Sequence, residues 1–297
     1  MRDTIFKGMA TALITPMDEF GNIDFKALER LLKFQLDNGA DALLVNGTTG
    51  ESAALEDWEK LALAEYVIRY TNGKVPVIVG TGSNNTFHSK CLSKEAQALG
   101  ADALLLVTPY YNKTSQEGLV KHFTEIADQV SIPVIVYNVP GRTGVDIAPE
   151  TYERLAEHPN IIGIKEAGGN ISKIAKTMAL CGGGLDLYSG NDDQTLPILS
   201  LGGKGVISVA GNLIPREMGE ICRAFFRGDL EESRRLQLEM LDLMNLLFCD
   251  VNPIPVKAAF EMMGMGTGTL RLPLVPLAEE KRRELAGVMK KHGLLQG

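Results

Sequence analysis

Gly39-Ala-Asp-Ala-Leu-Leu-Val45 recurs as Gly100-Ala-Asp-Ala-Leu-Leu-Leu-Val107, and Val75-Pro-Val-Ile-Val79 recurs as Ile132-Pro-Val-Ile-Val136. The offsets are 61 and 57 residues, the length of two strand–helix units. In each copy of the first repeat, glycine closes a helical pattern and opens an apolar run, where a left-handed helix C-cap is wanted. Working outward, similar runs are Gly8–Pro16, Ala40–Asn46, Val75–Gly80, Ala101–Thr108, Ile132–Asn138, Ile161–Glu166, Leu185–Gly190 and Gly205–Ala210. Most are continuously apolar rather than alternating, as parallel strands covered on both faces require. Amphipathic stretches such as Phe25–Asp37, Trp58–Tyr70, Ser89–Leu99 and Gln116–Gln129 lie between them. Eight such units with internal similarity predict an α/β fold, a (β/α)8 TIM barrel, ahead of a doubly wound open sheet.

After residue 214 the strand signal stops. Glu217–Phe226 closes the eighth unit, and Leu230–Leu247, Pro255–Met263 and Leu277–Lys290 read as further helices. Gly264–Gly268 and the prolines at 273 and 276 break that run. The expected domains are therefore a catalytic barrel over 1–226 and a C-terminal helical extension over 227–297.

The chain has 297 residues, 45% hydrophobic and 23% charged, enough apolar content to exclude a disordered chain. No charge-free stretch reaches the ~18–20 residues that span a bilayer. Met1-Arg2-Asp3-Thr4 leads into Lys7 with no apolar leader segment. The balance of 30 basic and 37 acidic residues, net −7, disfavours nucleic acid and anionic membranes as partners. Cys91, Cys181, Cys222 and Cys249 form no CxxC and read as buried free thiols in a reducing compartment, so the cytoplasm is expected.

In a barrel the chemistry sits at the C-terminal ends of the strands. The second run ends Asn46-Gly-Thr-Thr-Gly-Glu-Ser52, where two glycines and small hydroxyls can build a nest of N–H donors for a carboxylate or phosphate. The same residues also suit a plain capped turn, and no P-loop lysine follows. The fifth ends Tyr137-Asn-Val-Pro-Gly-Arg142, bringing a phenol and a guanidinium together. Arginine fits a bidentate grip on a carboxylate, although taken alone Tyr137 is more often a core or rim aromatic and Arg142 a surface arginine. The sixth, Ile161-Ile-Gly-Ile-Lys-Glu-Ala167, puts Lys165 and Gly163 on one strand face. Burial lowers a lysine pKa and frees an amine to attack a ketone; the competing reading is a lysine snorkelling to solvent. Thr108-Pro-Tyr-Tyr-Asn112 carries a tandem tyrosine pair, suited to a proton relay, to packing or to a subunit contact. Asp192 and Asp193 read as the start of a helix rather than a metal site. Gly202-Gly-Lys-Gly205 precedes the eighth run and reads as a turn at the far end of the barrel. His88, His122, His158 and His292 form no HxxH, and no GxSxG elbow is present.

Taken together, Gly47-Thr-Thr-Gly-Glu-Ser52, Thr108-Pro-Tyr-Tyr-Asn112, Tyr137-Asn-Val-Pro-Gly-Arg-Thr-Gly144, Gly163-Ile-Lys-Glu-Ala167 and Ser189-Gly-Asn-Asp192 resemble the dihydrodipicolinate synthase family, also called 4-hydroxy-tetrahydrodipicolinate synthase. The resemblance runs from about residue 5 to the end. Sialic acid lyases share the lysine and the first tyrosine but usually lack the Val-Pro-Gly-Arg-Thr-Gly run. The resemblance implies condensation of pyruvate with L-aspartate 4-semialdehyde on the diaminopimelate route to lysine, with no metal and no organic cofactor. It implies Lys165 as the Schiff-base lysine and Tyr137 as proton donor and acceptor. Thr49 would link Tyr137 to Tyr111, which would reach in from a neighbouring subunit of a homotetramer, a dimer of dimers. Thr48 and Thr49 would hold the pyruvate carboxylate, Arg142 would meet the aldehyde's carboxylate, and Gly190 and Ile207 would line the pocket.

Two departures stand out. Gly168 replaces a common threonine, with a small expected effect. In lysine-inhibited members the effector sits near positions matching Ser52, Ala53, Asp57, Lys60, Asn84, His88 and Tyr110. Here Lys60 and His88 replace a histidine and a glutamate, so weak or absent lysine inhibition is expected. The alternatives are another pyruvate-dependent lyase acting on a sugar acid or other aldehyde, and a barrel turned sensor or structural subunit.

Overall fold

The computed structural model describes residues 4–295; Met1–Asp3 and residues 296–297, at the outer ends of the two expected domains, lie outside it. Eight parallel strands close into a barrel in sequence order. They are β1 (Gly8–Ala12), β2 (Ala42–Val45), β3 (Val77–Gly80), β4 (Ala103–Val107), β5 (Val134–Asn138), β6 (Ile161–Glu166), β7 (Asp186–Ser189) and β8 (Gly205–Ser208). β1 pairs with both β2 and β8, which removes every sheet edge.

The repeated Gly-Ala-Asp segments have a repeated role. Gly39 and Gly100 take φ of +76° and +96°, the left-handed turn between helix and strand. The aspartates that follow each accept an N–H from the strand before their own: Asp41 Oδ2 from Met9 at 2.8 Å and Asp102 Oδ2 from Val77 at 2.8 Å. These bonds satisfy backbone donors at the strand starts and tie neighbouring units in register.

Alternation along the strands divides the apolar side chains into two cores. Ala10, Leu44, Ile78, Leu105, Ile135, Tyr137, Tyr188 and Ile207 fill the barrel interior. Leu43, Val45, Val79, Leu104, Val136, Ile164 and Leu187 face outward and pack under the helices. The helix over Phe25–Asp37 starts where Asp24 accepts from the N–H groups of Lys26 and Ala27, a cap worth about 1 kcal/mol.

Beyond β8, the helix Pro215–Phe226 closes the eighth unit, and the helices Leu230–Glu239, Leu241–Leu246, Ile254–Met262 and Glu279–Lys291 form the C-terminal helical region. The single helix expected over Leu230–Leu247 is broken at Met240, which ends one helix and begins the next. The region lies on the barrel through polar links: Gln237 Nε2 to the Asp192 carbonyl at 3.1 Å and Arg271 Nε to the Gly21 carbonyl at 3.0 Å. The cysteines are free thiols, but only Cys222 is fully buried and Cys91 is exposed, which corrects the expectation of four buried thiols. Cys91 lies on the Thr86–Ala98 helix, away from its buried face of Ser89, Leu92, Ser93 and Ala96. Among the described residues no helix is long and apolar enough to cross a membrane.

Candidate active site

The register across β5, β6 and β7 aligns Tyr137 with Lys165, and Lys165 with Tyr188. All three are buried inside the barrel. The Lys165 ammonium nitrogen stands 4.3 Å from the centre of the Tyr137 ring. A Cβ at Gly163 would stand 3.3 Å from Ile135 and 3.5 Å from the Tyr188 ring. The missing side chain thus makes room for those neighbours, and the lysine stem rises above them.

Burial brings Lys165 down to about 7; Asp192 pulls it back up and Arg142 pushes it further down. A lysine in that range is a nucleophile at neutral pH. Tyr137 moves the other way. Burial raises its phenol, while Arg142 and a hydrogen bond with the Thr48 side chain oppose the rise. A phenol so placed stays protonated near neutrality and is available as an acid.

After β2 the chain turns through a short 3-10 piece, Thr48–Gly50. The Thr15 hydroxyl donates to the Gly50 carbonyl at 2.7 Å, fixing the turn to the end of β1. Here the geometry differs from the relay expected for Thr49. Thr48 bonds Tyr137, whereas the Thr49 hydroxyl is buried and accepts from Asn252 Nδ2 at 3.1 Å. In a turn this tight, successive side chains point apart, so the first threonine faces the barrel mouth and the second faces the C-terminal region.

Arg142 leaves the end of β5 on the four-residue turn Pro140–Thr143 and is exposed, with one guanidinium nitrogen donating to the Asn252 carbonyl at 3.2 Å. Asn252 therefore touches both Thr49 and Arg142, a role that nothing in its local sequence signals. Gly190 is half-buried and donates its N–H to the Glu166 carbonyl at 2.7 Å. Ile207 lies in the interior layer with Tyr137 and Tyr188. Tyr111 is 92% exposed with φ of +66° and does not line its own chain's cleft.

Asp192 and Glu166 were not foreseen as parts of the site. Asp192 is buried, and its Oδ2 accepts the N–H groups of Val209 and Ala210 at 3.1 and 2.8 Å. It begins the short 3-10 helix Asp192–Gln194, as expected, and also cross-links β7 to β8. Glu166 turns away from the barrel axis and accepts from Asn138, Tyr152 and the Gly168 N–H, the last at 2.6 Å. A Cβ at Gly168 would stand 2.7 Å from that carboxylate, so a larger residue here requires the Glu166 side chain to shift.

A cleft of about 570 Å³ opens beside Thr48 and Arg142. Thr48, Arg142, Val139 and Asn252 line one part of it, and Ser52, Ala53, Lys60, His88 and Tyr110 another. His88 Nε2 lies 2.7 Å from Asp57 Oδ2, and Lys60 Nζ 3.0 Å from Asp57 Oδ1, so the Asp57 carboxylate is shared by two basic side chains. Asn84 Nδ2 donates to the Tyr110 carbonyl at 3.2 Å. No group of three or more His, Cys, Asp or Glu suited to a metal ion occurs among the described residues. The site can therefore bind a carboxylate, attack a carbonyl with an amine and move a proton with a phenol.

The profile of the Dihydrodipicolinate synthetase family matches residues 5–292. The chain is 51% identical over 291 residues to the 4-hydroxy-tetrahydrodipicolinate synthase of Caldicellulosiruptor bescii, covering 98% of each chain. It superposes on the dihydrodipicolinate synthase of Thermotoga maritima with a TM-score of 0.96 at 45% identity, over 98% of this chain and all of that one. The chloride-inhibited dihydrodipicolinate synthase of Acinetobacter baumannii, solved with pyruvate, gives a TM-score of 0.96 at 43% identity, again over 98% of this chain and all of that one.

Proposed function

The chain belongs to the Dihydrodipicolinate synthetase family and is a lyase, and on that premise we propose that it condenses pyruvate with L-aspartate 4-semialdehyde through an imine on Lys165. The observation that carries the proposal is the buried Lys165 beside the Tyr137 ring, both under the influence of Arg142, which lines the adjoining cleft with Thr48. The pyruvate complex of the Acinetobacter baumannii relative supports pyruvate as the first substrate.

The chemistry follows from the groups in place. Lys165 Nζ attacks the ketone carbon, and water leaves as the imine forms. The protonated imine withdraws electrons, so the adjacent methyl group loses a proton and becomes a carbon nucleophile. That carbon adds to the aldehyde carbon, the new alkoxide takes a proton, and the second substrate's amino group then attacks the imine carbon and expels Lys165 Nζ, closing the ring and freeing the lysine. Tyr137 moves these protons, with Thr48 as the next member of the relay and Tyr111 reaching in from a second copy of the chain. The 48–49 turn receives the pyruvate carboxylate, and Arg142 that of the aldehyde. Gly190 and Ile207 flank the pocket.

We further propose that the assembly is a tetramer of two dimers, that it resides in the cytoplasm, and that residues 1–226 form the catalytic barrel and 227–297 the helical domain. Lysine inhibits weakly or not at all, because Lys60 and His88 already neutralise Asp57 and leave an added ammonium without a partner. A sub-millimolar inhibition constant in a lysine titration would overturn that reading. Borohydride reduction with pyruvate, followed by peptide mass analysis, tests the imine directly. The adduct is expected on Lys165, and an unmodified Lys165 would remove the proposal's basis.

A further inference from the structure

Glu51 and Lys257 form an ion pair of 2.6 Å with both side chains essentially sealed from solvent, between residues 206 positions apart. The reaction scheme makes no use of it. Charges taken out of water at this depth are costly, and hydrophobic replacements often match such pairs in stability. Folding alone is thus a weak reason for the pair.

Its location is informative. Glu51 directly follows the Thr48–Gly50 turn, with a left-handed φ of 55°, and donates its N–H to the Thr48 carbonyl at 3.1 Å. The turn and its successor Ser52–Ala54 are single 3-10 turns, too short to hold their own shape. The Glu51 carboxylate is fully engaged: Oε1 takes Lys257 Nζ, and Oε2 takes the Arg271 N–H at 3.0 Å. Arg271 reinforces the contact by donating to the Ala54 carbonyl at 2.8 Å and to both Glu59 oxygens at 2.7 and 2.6 Å. Lys257 lies on the Ile254–Met262 helix, and the residue two before that helix is Asn252, which holds Thr49 and Arg142.

We propose that the buried Glu51–Lys257 pair is a positioning device that locks the carboxylate-binding turn Thr48–Gly50 to the C-terminal helix, setting the affinity for the 2-oxo acid. The inference rests on the pyruvate reading above. Glu51 and Lys257 touch no reacting atom. They act through the turn that receives the substrate carboxylate in ground state and transition state alike, so their loss raises KM and spares kcat.

The test uses the full-length protein and three variants: Glu51→Gln, Lys257→Met and the double variant. Glu51→Gln keeps an acceptor for the Arg271 N–H, and burial already holds Lys257 below the ordinary lysine value, so the lone lysine can shed its proton. The double variant carries no buried charge and keeps the assay open if Lys257→Met does not fold. Each is measured for Tm, for the pyruvate concentration giving half-maximal borohydride trapping, and for KM and kcat. The half-saturation and the pyruvate KM are expected to rise about tenfold, the loss of one charge-assisted contact. Trapping should still reach completion, and kcat should change less than about threefold. The double variant is expected to regain Tm without regaining the low half-saturation. Folded Glu51→Gln and double variants with half-saturation within twofold of wild type would overturn the proposal. A wild-type protein that traps no pyruvate would instead overturn the reading beneath it.

Discussion

The pH dependence of imine formation tests how the barrel activates Lys165. Burial brings this lysine from the ordinary 10.5 to about 7. The free-amine fraction is then about one in ten at pH 6, half at pH 7 and nine in ten at pH 8. The initial rate of pyruvate trapping with cyanoborohydride should climb about tenfold from pH 6 to 8 and then level off. A solvated lysine at 10.5 would instead gain about a hundredfold over that interval and keep rising beyond pH 9. The assay needs only protein, pyruvate, reductant and intact-mass detection at fixed ionic strength. A rate still rising tenfold per pH unit between pH 8 and 9 would refute the argument that burial activates the amine.

The same shift has a stability consequence. The folded-state value lies below the unfolded one, so between about pH 7 and 10.5 the unfolded chain binds more protons and wild-type stability rises with pH. Lys165→Met should abolish trapping and stabilise the fold by roughly 5 kcal/mol below pH 7, the gain shrinking towards pH 10; urea denaturation across pH checks both the size and the slope. Tyr137→Phe should keep the ring over Lys165 while lowering kcat by about 10²–10⁴-fold, read from steady-state rates. Arg142→Ala should leave pyruvate trapping intact and raise the KM for the aldehyde about tenfold or more, since an exposed guanidinium contributes a charged hydrogen bond to substrate and little to the core.

Much of the fold was legible because its determinants are local. The Gly39 and Gly100 turns, the apolar runs and the Phe25–Asp37 helix each follow from neighbours in sequence. So did the strand-end lysine, since a charge at the end of Ile161–Glu166 conflicts with its surroundings unless it has a function. What escaped the sequence depends on long-range packing. Asn252 meets Thr49 across 203 positions and Lys257 meets Glu51 across 206, and no local pattern signals either contact. The exchange of Thr48 for Thr49 beside Tyr137 turns on the rotation of one 3-10 turn, which adjacent identical residues cannot reveal. Asp192 begins a helix as the sequence suggests, and only its bonds to Val209 and Ala210 display it also as a buried strut near Lys165.

The central claim is a condensation with a particular aldehyde, and its most direct test is the rate of pyruvate consumption with L-aspartate 4-semialdehyde as acceptor. The account predicts turnover on the order of 10 per second, dependent on both substrates. Protein that traps pyruvate on Lys165 but consumes none with this aldehyde would contradict it and assign the imine to a different acceptor.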